Sequence, residues 1–546
     1  MNKIIKFKSL KLIIAVLILF VVFAGCSDSE LTENPPHIIG ADNLYKDLAG
    51  FEAGLNGLYA QYARERAGSV LGSGNNLFID MATSAVDNAY GNFRAGWAFV
   101  GNNLDTRNNP SEVHNRRFFE WIYTTINAAN TIITRAENPD VDWTQEDKSR
   151  VVAEARLIRA WAYRHATYLW GDVPLSLEES SGSTIRTDWT RNPVAEVRNQ
   201  MLEDLLFAEA NLPETSSNPG KAVKGVATHY LSELYLTIGD NENAKAKAES
   251  LINSGIYSLV TERYGVKANQ PGTPYSDMFL DGNSNKSEGN TEALWVMQQE
   301  LETTGGGKNI MRRWHRNRSN SVRVDGITGA IIFSVENGGR GIGRIGPTRY
   351  AMELYEPNDD RGGIFAWRTY EVLNNPNVVP PGRAIGDTIW FNWQGKDEAL
   401  FVADWPSTRK WDYANPNNLS DEENYNDQVY LRLAETYLLL AEAQFKLGDP
   451  SGSAETINHL RRRANASEIT GGDVSIDFIL DERSRELYSE EHRKYTLTRL
   501  GRWLDRMQLY NKVGGPKAGE KDKLSPIPQT VIDANIGGAF EQNPGY

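Results

Sequence analysis

Residues 433–463, LAETYLLLAEAQFKLGDPSGSAETINHLRRR, carry the clearest structural pattern in this chain. Their first half is rich in Leu and Ala and stops at Gly448-Asp449. Apolar residues return at Ala454, Ile457 and Leu460, which is the spacing of one helical face. Because Gly just past the last turn is a helix stop signal, we predict two helices joined by a turn at Gly448-Asp449.

The same pattern occurs earlier in the chain. Residues 235–240, YLTIGD, end in a second Gly-Asp stop, and Ala244, Ala248 and Ile252 follow it at helical spacing. A partial third copy ends at Gly171-Asp172. Such hairpins are typical of degenerate tetratricopeptide-type repeats. Since about 200 residues separate the last two turns, we predict that a long insertion divides one helical scaffold.

Three further helices are predicted in the first third of the chain, over residues 118–133, 151–169 and 192–213. In each segment apolar residues recur every three or four positions, as on an amphipathic helix. Tryptophans on these faces, and one in an apolar strand-like run, are predicted to belong to the core: Trp121, Trp161, Trp170 and Trp295.

The middle of the chain has a different composition. Between residues 258 and 425, glycine clusters and Asn-Pro segments alternate with short β-like runs at 293–297 and 331–333. Loops carried by a rigid scaffold are where binding sites usually lie. The chain therefore divides into a signal peptide (1–25), an acidic tether (26–40), an N-terminal helical part (41–257), a variable loop-rich ligand-binding part (258–425) and C-terminal helical repeats with a tail (426–546).

The first residues predict export and lipidation. Four lysines precede an apolar run over residues 12–24, which is too short to span a membrane but fits a signal peptide. The run ends in Phe23-Ala24-Gly25-Cys26, which resembles a bacterial lipobox with Cys26 as the lipidated residue. The alternative is a buried or free cysteine at this position. Residues 27–30, SDSE, contain two acids and resemble the signal that sends lipoproteins of the Bacteroidota to the cell surface.

Charge and composition limit the function classes. The chain of 546 residues has 58 Lys and Arg against 71 Asp and Glu, a formal charge of −13 that disfavours nucleic-acid binding. Its single cysteine excludes intrachain disulfides and zinc sites built on several thiolates. Removing residues 1–25 would raise the net negative charge to −17, so a lipid rather than electrostatic attraction would anchor the protein to a membrane.

Aromatic residues next to hydrogen-bonding groups suggest a sugar-binding site. Sugars stack their C–H faces on flat rings while amides, carboxylates and arginines meet their hydroxyls. One candidate stretch runs from Asp87 to Trp97, and a second surrounds Trp314, which four basic residues flank. The alternatives are that Trp97 fills the scaffold and that Trp314 is pinned by cation–π contacts with arginines. The candidate ligand-binding residues are Tyr90, Asn92, Arg94, Trp97, Trp314 and His315.

No catalytic residue is predicted. Gly341, Gly343 and Gly346 match G-x-G-x-x-G, but Pro347 follows at once and no strand–turn–helix unit encloses them. The chain has no G-x-S-x-G and no H-E-x-x-H motif. A carboxylate pair for glycoside hydrolysis stays open, because no two of the 71 acids stand out. We predict neither a cofactor nor a metal, with calcium left open.

Five motifs, taken together, resemble the SusD/RagB family of surface glycan-binding lipoproteins. Besides the lipobox, they are residues 121–133 around INAAN, 154–175 from EARLIRAW to GDVPL, 432–487 from RLAE to DERSREL, and the tail 524–546 with LSPIP and QNPGY. Residues 491–495, EHRKY, depart from the family pattern, which more often has Gly before the Arg.

The resemblance implies a mostly helical fold, with four tetratricopeptide-like units and a loop-rich insertion that contains short strands. It also implies polysaccharide or oligosaccharide capture without cleavage, an outer-membrane anchor facing the extracellular side, and a TonB-dependent, SusC-like transporter as partner. Two alternatives are a protein-interaction scaffold or lid with a non-glycan ligand, and a lipid-anchored glycoside hydrolase.

Overall fold

The structure is a computed structural model that describes residues 40–67, 83–91, 98–396, 398 and 403–546. The predicted signal peptide, the lipidation residue Cys26 and all of the tether except Gly40 lie outside the described residues. Three of the candidate ligand-binding residues, Asn92, Arg94 and Trp97, lie outside them as well.

The described part is mostly helical. Its α-helices are α1 Ala41–Leu44, α2 Leu48–Ala63, α3 Ala98–Asn102, α4 Leu104–Arg107, α5 Val113–Arg135, α6 Gln145–Trp170, α7 Val194–Asn211, α8 Lys224–Ile238, α9 Asn241–Ile252, α10 Pro274–Asp277, α11 Met311–His315, α12 Arg349–Glu353, α13 Leu433–Lys446, α14 Pro450–Arg463, α15 Ile476–Leu487, α16 Arg493–Arg499, α17 Trp503–Tyr510 and α18 Gln529–Ala534. Its strands are β1 Ala89–Gly91, β2 Ala293–Met297, β3 Ile345–Pro347, β4 Trp367–Arg368, β5 Tyr370–Val372, β6 Thr388–Trp390, β7 Ser407–Thr408 and β8 Gln428–Arg432.

The three helices predicted in the first third are confirmed as α5, α6 and α7. They pack in sequence order, α5 on α6, α6 on α7 and α7 on α8. The tryptophans predicted to lie in the core are buried: Trp121, Trp161, Trp170 and Trp295. Within the described ranges, no helix combines the length and the apolar character needed to cross a membrane.

The two complete Gly-Asp hairpins are confirmed, and each uses its turn residues in the same way. Gly239 and Gly448 adopt φ values of +87° and +82°, in the left-handed region that glycine enters without steric cost. Asp240 then caps α9 by accepting the Asn243 amide at 3.1 Å. The Asp449 carboxylate caps α14 by accepting a backbone amide at 2.8 Å. These contacts explain why the Gly-Asp pair recurs where one helix ends and the next begins.

The insertion separates the hairpins in sequence but not in space. Helix α9 of the first hairpin packs directly against α13 of the second. The equivalent glutamates Glu233 and Glu442 each bind one arginine through both carboxylate oxygens, Arg164 and Arg499 respectively. The helical scaffold is therefore continuous in space, and the insertion connects α9 to α13 in sequence.

Replacing Gly448 by Ala is expected to destabilise the protein by about 1 kcal/mol, because an L residue is strained at this positive φ. A Cβ atom at Gly448 would meet nothing within 4 Å, so the cost is purely conformational. Gly57, an exposed residue inside α2, also has open space around it but no positive φ. Ala at position 57 should stabilise the protein by about 0.5–1 kcal/mol. Urea unfolding midpoints test both changes, and a shift in the same direction for the two variants would contradict the argument.

The insertion contains short, paired strands. Among the described residues, four two-stranded antiparallel sheets form from β1–β3, β2–β8, β4–β7 and β5–β6, with β1 contributed by the N-terminal part of the chain. The strand predicted at 293–297 is confirmed as β2, whereas the one predicted at 331–333 is wrong. There the side chain of Asn374 pairs with both backbone groups of Ile332, at 2.8 and 3.1 Å. This side-chain amide takes the place of a partner strand, so an apolar run alone did not specify a sheet.

Candidate ligand-binding site

Tyr90 lies where the first candidate stretch pairs with a strand of the insertion. It is the central residue of β1 and sits opposite Gly346 of β3. Its ring meets the edge of Trp405 with the two centroids 6.4 Å apart. The Trp405 indole donates a hydrogen bond to the Pro347 carbonyl at 2.9 Å and so fixes its own orientation. Trp393 closes the group, with its ring 5.9 Å from that of Trp405; we call Tyr90, Trp393 and Trp405 the aromatic cluster.

The second candidate stretch, around Trp314, lies against the same segment. The backbone amides of Ile342 and Arg344 donate to the carbonyls of Arg313 and Trp314, at 2.9 and 2.8 Å. Since Ile345 then begins β3, the segment 342–347 contacts α11 at one end and β1 at the other. The structure therefore brings β1, which is the described end of the first candidate stretch, and the stretch around Trp314 against one segment, although more than 200 residues separate them in sequence.

Trp314, a candidate ligand-binding residue, does not present its ring to solvent. Trp314 lies in the short helix α11 and is completely buried. The guanidinium of Arg344 covers its ring at 4.9 Å, so the cation–π alternative holds, with an arginine that does not flank Trp314 in sequence. His315 and Tyr90 are also buried. None of these three rings offers an open face to a sugar in this conformation.

The basic residues that flank Trp314 do not keep it at the surface, because two of them, Arg312 and Arg316, are buried with it. Arg312 donates to the carbonyls of Tyr413 and Asp421, at 2.8 and 2.6 Å. Arg316 pairs with the buried carboxylate of Glu371 at 2.6 Å. Buried arginines with such partners are stable, and a sequence does not show which partners exist.

Asp87, at the start of the first candidate stretch, is also a structural residue. It is completely buried and accepts hydrogen bonds from Arg493 and Arg506 at 2.7–2.8 Å. Burial alone would raise the pKa of Asp87, but these two arginines hold it below its usual value. Asp87 thus ties β1 to α16 and α17 rather than meeting a ligand.

The exposed aromatic surface lies on β5 and β6. Trp390 is 63% exposed, and it faces Tyr370 directly across the strand pair with ring centroids 5.0 Å apart. Its neighbour Ile389 packs inward against Leu373 and Phe391. The sequence signal for this pair was the alternation Thr-Ile-Trp, which turns the tryptophan outward when the isoleucine turns inward. Tyr370 itself is half-buried, and we call Trp390 with Tyr370 beside it the exposed pair.

Three buried side chains with metal-binding atoms lie together in the helical scaffold. Within the described residues, one group of three histidines and acids brings its ligand atoms within 4.8 Å of one another: Glu65, His165 and His492. All three are buried in the helical scaffold, and His492 binds Glu65 at 2.6 Å. The positive charges of Arg164 and Arg66 near His492 oppose a further cation.

Comparisons with known proteins agree with this architecture. Residues 401–546 match the family described as "SusD family", and residues 46–236 match "Starch-binding associating with outer membrane". The chain is 25% identical to SusD-like protein P2 of Formosa agariphila, over 98% of this chain and 99% of the relative. It is 24% identical to the starch-binding protein SusD of Bacteroides thetaiotaomicron, over 78% of each chain.

Solved structures show the same fold. A SusD homologue from Bacteroides thetaiotaomicron superposes with a TM-score of 0.72 at 19% identity, covering 95% of this chain and all of that one. A laminarin-binding SusD-like protein superposes with a TM-score of 0.67 at 21% identity, covering 91% and 99%. The fold is therefore a helical tetratricopeptide-like scaffold with a loop-rich insertion. The chain belongs to the SusD/RagB family.

Proposed function

We propose that this protein is a cell-surface lipoprotein that captures a polysaccharide or oligosaccharide by aromatic stacking and delivers it to a SusC-like, TonB-dependent transporter in the outer membrane. Its anchor is the lipid at Cys26, with the body facing the extracellular side. The function requires no cofactor, nucleic acid or catalytic residue. Support comes from the family, from starch- and laminarin-binding relatives, and from the aromatic surfaces of the insertion.

The observation that carries the proposal is the exposure of Trp390. Among the large apolar side chains that are exposed in the described part, it is the one aromatic residue. An indole in water costs free energy unless its apolar face is covered. Tyr370 tilts toward it at 51°, so the exposed pair forms an angled, two-ring surface rather than a flat one. Such a surface suits the C–H faces of successive sugar units.

Hydrogen-bonding groups lie on the same strand and just beyond it. Thr388 begins β6 and is exposed, and Asn392 follows the strand and is exposed too. Asn392 therefore offers a side-chain amide close to Trp390 in sequence. The next residue, Trp393, belongs to the aromatic cluster. The polar groups would fix the orientation of a sugar whose contact area comes from the rings.

Trp390→Ala is expected to weaken binding of the recognised glycan at least about tenfold, because it removes roughly 1.5 kcal/mol of stacking surface. Stability should change little, since the ring is mostly exposed. The experiment is affinity electrophoresis of the protein without residues 1–26 in gels containing different soluble polysaccharides. Reducing-sugar release is measured alongside, and release would overturn the binding-only function in favour of a hydrolase.

Ile536→Ala is the matched control. Ile536 is 83% exposed in the C-terminal tail, so its removal changes apolar surface without touching β5 or β6. Equal retardation of the wild type and the Trp390 variant would show that the exposed pair is not the platform. No retardation in any gel, together with binding to the transporter, would favour the interaction scaffold.

A further inference from the structure

A pocket lies between α12, the end of α17 and the chain that follows Trp393. Its volume is about 460 Å³, and its apolar lining consists of Tyr350, Leu354, Leu509 and Tyr510. Pockets that bind small molecules usually measure about 300–1,000 Å³. This pocket therefore has room for a small part of a glycan, and we call it the tyrosine pocket.

Two stacked tyrosines form a fixed wall of the tyrosine pocket. The rings of Tyr350 and Tyr510 lie at 20° to each other with their centroids 3.9 Å apart. The Tyr350 hydroxyl binds Asp481 and Arg506, and the Arg506 guanidinium lies 5.3 and 5.0 Å from the two ring centroids. Arg506 in turn binds the buried Asp87 at 2.8 Å. Because the rings are already held in place, a ligand that stacks on them would cost little side-chain entropy.

The mouth of the tyrosine pocket combines apolar surface with hydrogen-bonding groups. Leu509 lines the pocket and is 56% exposed. Glu353 and Lys512 also line it, and both are exposed. A carboxylate accepts hydrogen bonds and an ammonium group donates them, whereas a sugar hydroxyl does both. The pocket therefore offers a sugar ring an apolar surface for its C–H face and partners for its hydroxyls.

One edge of the tyrosine pocket leads back to the exposed pair. The Arg349 guanidinium donates to the backbone carbonyls of Gln394, at 2.6 Å, and Lys396, which fixes the chain after Trp393 along this edge. Lys396 lies six residues after Trp390. A chain of that length spans at most about 22 Å, so an oligosaccharide of several units can extend from the exposed pair to the pocket.

The opposite edge borders the aromatic cluster. Val513, three residues after Tyr510, packs against Tyr90 and Trp405. Trp393, which precedes the first edge, packs against the same two rings. Both edges of the tyrosine pocket are therefore connected to the region that carries the candidate site.

We propose that the tyrosine pocket is a second subsite for the captured glycan, so that one bound chain stacks on Trp390 and places a sugar unit further along in the pocket. The preferred ligand is then an oligosaccharide or polysaccharide rather than a single sugar, and its affinity rises with chain length until both places are occupied. The inference rests on the proposed function, because it extends the site for the same glycan.

Binding by the Tyr510→Ala protein tests the inference. Affinity electrophoresis in gels that contain soluble starch, laminarin, xylan or polygalacturonate identifies the polysaccharide that the wild type binds. We expect Tyr510→Ala to weaken that binding about fivefold or more, whereas Tyr510→Phe keeps the ring and should bind as the wild type does. Calorimetry with oligosaccharides of increasing length from the same polysaccharide should show an affinity that rises with length in the wild type and less steeply in Tyr510→Ala.

Two further variants keep the test decisive. Leu509→Ala removes exposed apolar surface from the tyrosine pocket, so it should fold normally even if Tyr510→Ala does not, and it should weaken binding about twofold. Leu206→Ala is the matched control, because Leu206 is 40% exposed on α7 and does not line the pocket. It should bind as the wild type does.

The outcomes separate the two proposals. Unchanged binding by Tyr510→Ala and Leu509→Ala, together with weaker binding by Trp390→Ala, would overturn the second subsite and leave the proposed function standing. An affinity that does not depend on the length of the oligosaccharide would also overturn the second subsite. Binding of none of the polysaccharides by the wild type would overturn both.

Discussion

Replacing Glu486 by Gln should destabilise the protein by at least about 4 kcal/mol. Glu486 is completely buried in α15, and its carboxylate pairs with Arg361, Arg432 and Arg463. Burial alone would raise the pKa of Glu486, but Arg463, Arg432 and Arg361 together hold it well below its usual range. Removing one partner of a buried ion pair typically costs 3–5 kcal/mol because the other charge is left uncompensated. Here one substitution affects three cations.

The cost should be global rather than local, because the three arginines come from different parts of the chain. Arg361 belongs to the insertion, Arg432 ends β8 and Arg463 ends α14. Glu486 thus joins the insertion to the C-terminal repeats. Glutamine keeps the size of the side chain, so loss of packing does not explain the effect.

Urea unfolding of the Glu486→Gln protein measures this effect. The control is Glu455→Gln on α14, whose pair with Arg462 is exposed on both sides. Exposed ion pairs contribute about 0–1 kcal/mol, so the control should shift the midpoint little. Similar midpoints for the two variants would show that the buried network does not stabilise the fold as argued.

Acidification from pH 7.5 to 5.5 should cost the folded state about 7 kcal/mol. Five histidines of the described part are buried: His114, His165, His229, His315 and His492. Burial lowers the pKa of His114 to about 4 and the pKa of His229 and His315 to about 3. It also holds the pKa of His165 and His492 well below 6.5.

The direction of the effect follows from proton uptake. In the unfolded chain each histidine takes up a proton near pH 6.5, whereas in the folded protein it stays neutral. The unfolded state therefore binds more protons below pH 6.5, and stability is lost as the pH falls. Each histidine contributes about 1.4 kcal/mol between pH 7.5 and 5.5. Carboxylates whose pKa is lowered to about 2, such as Glu482, stabilise the folded protein at neutral pH. Their contribution to stability is lost only below about pH 4.5.

Single substitutions separate the contribution of one histidine. In His315→Phe, the loss between pH 7.5 and 5.5 should shrink by about 1.4 kcal/mol. His459 is exposed on α14, and His459→Gln should leave the loss unchanged. Urea midpoints at the two pH values provide the measurement. A midpoint that does not move between pH 7.5 and 5.5 would contradict the assignment of buried, neutral histidines.

Local patterns were sufficient to predict the scaffold. The three-and-four spacing gave α5, α6 and α7, and the Gly-Asp pairs located the turns at Gly239 and Gly448. Helical periodicity and turn chemistry depend on residues a few positions apart, so a single sequence contains them. The strand predicted at 331–333 does not form, because a strand also needs a partner strand. The side chain of Asn374 hydrogen-bonds the backbone of Ile332 instead.

The site depended on contacts that a sequence does not display. Trp314 and Trp390 both lie among polar neighbours in loop-rich segments, yet one is completely buried and the other 63% exposed. The difference comes from distant residues, since Arg344 covers Trp314 while nothing but Tyr370 meets the ring of Trp390 among the described aromatic contacts. The sequence by itself determined the helical repeats, and it pointed to two stretches whose described parts, β1 and α11, contact the same segment 342–347. Only the tertiary structure decided which rings face solvent, because burial is set by residues far away in the chain.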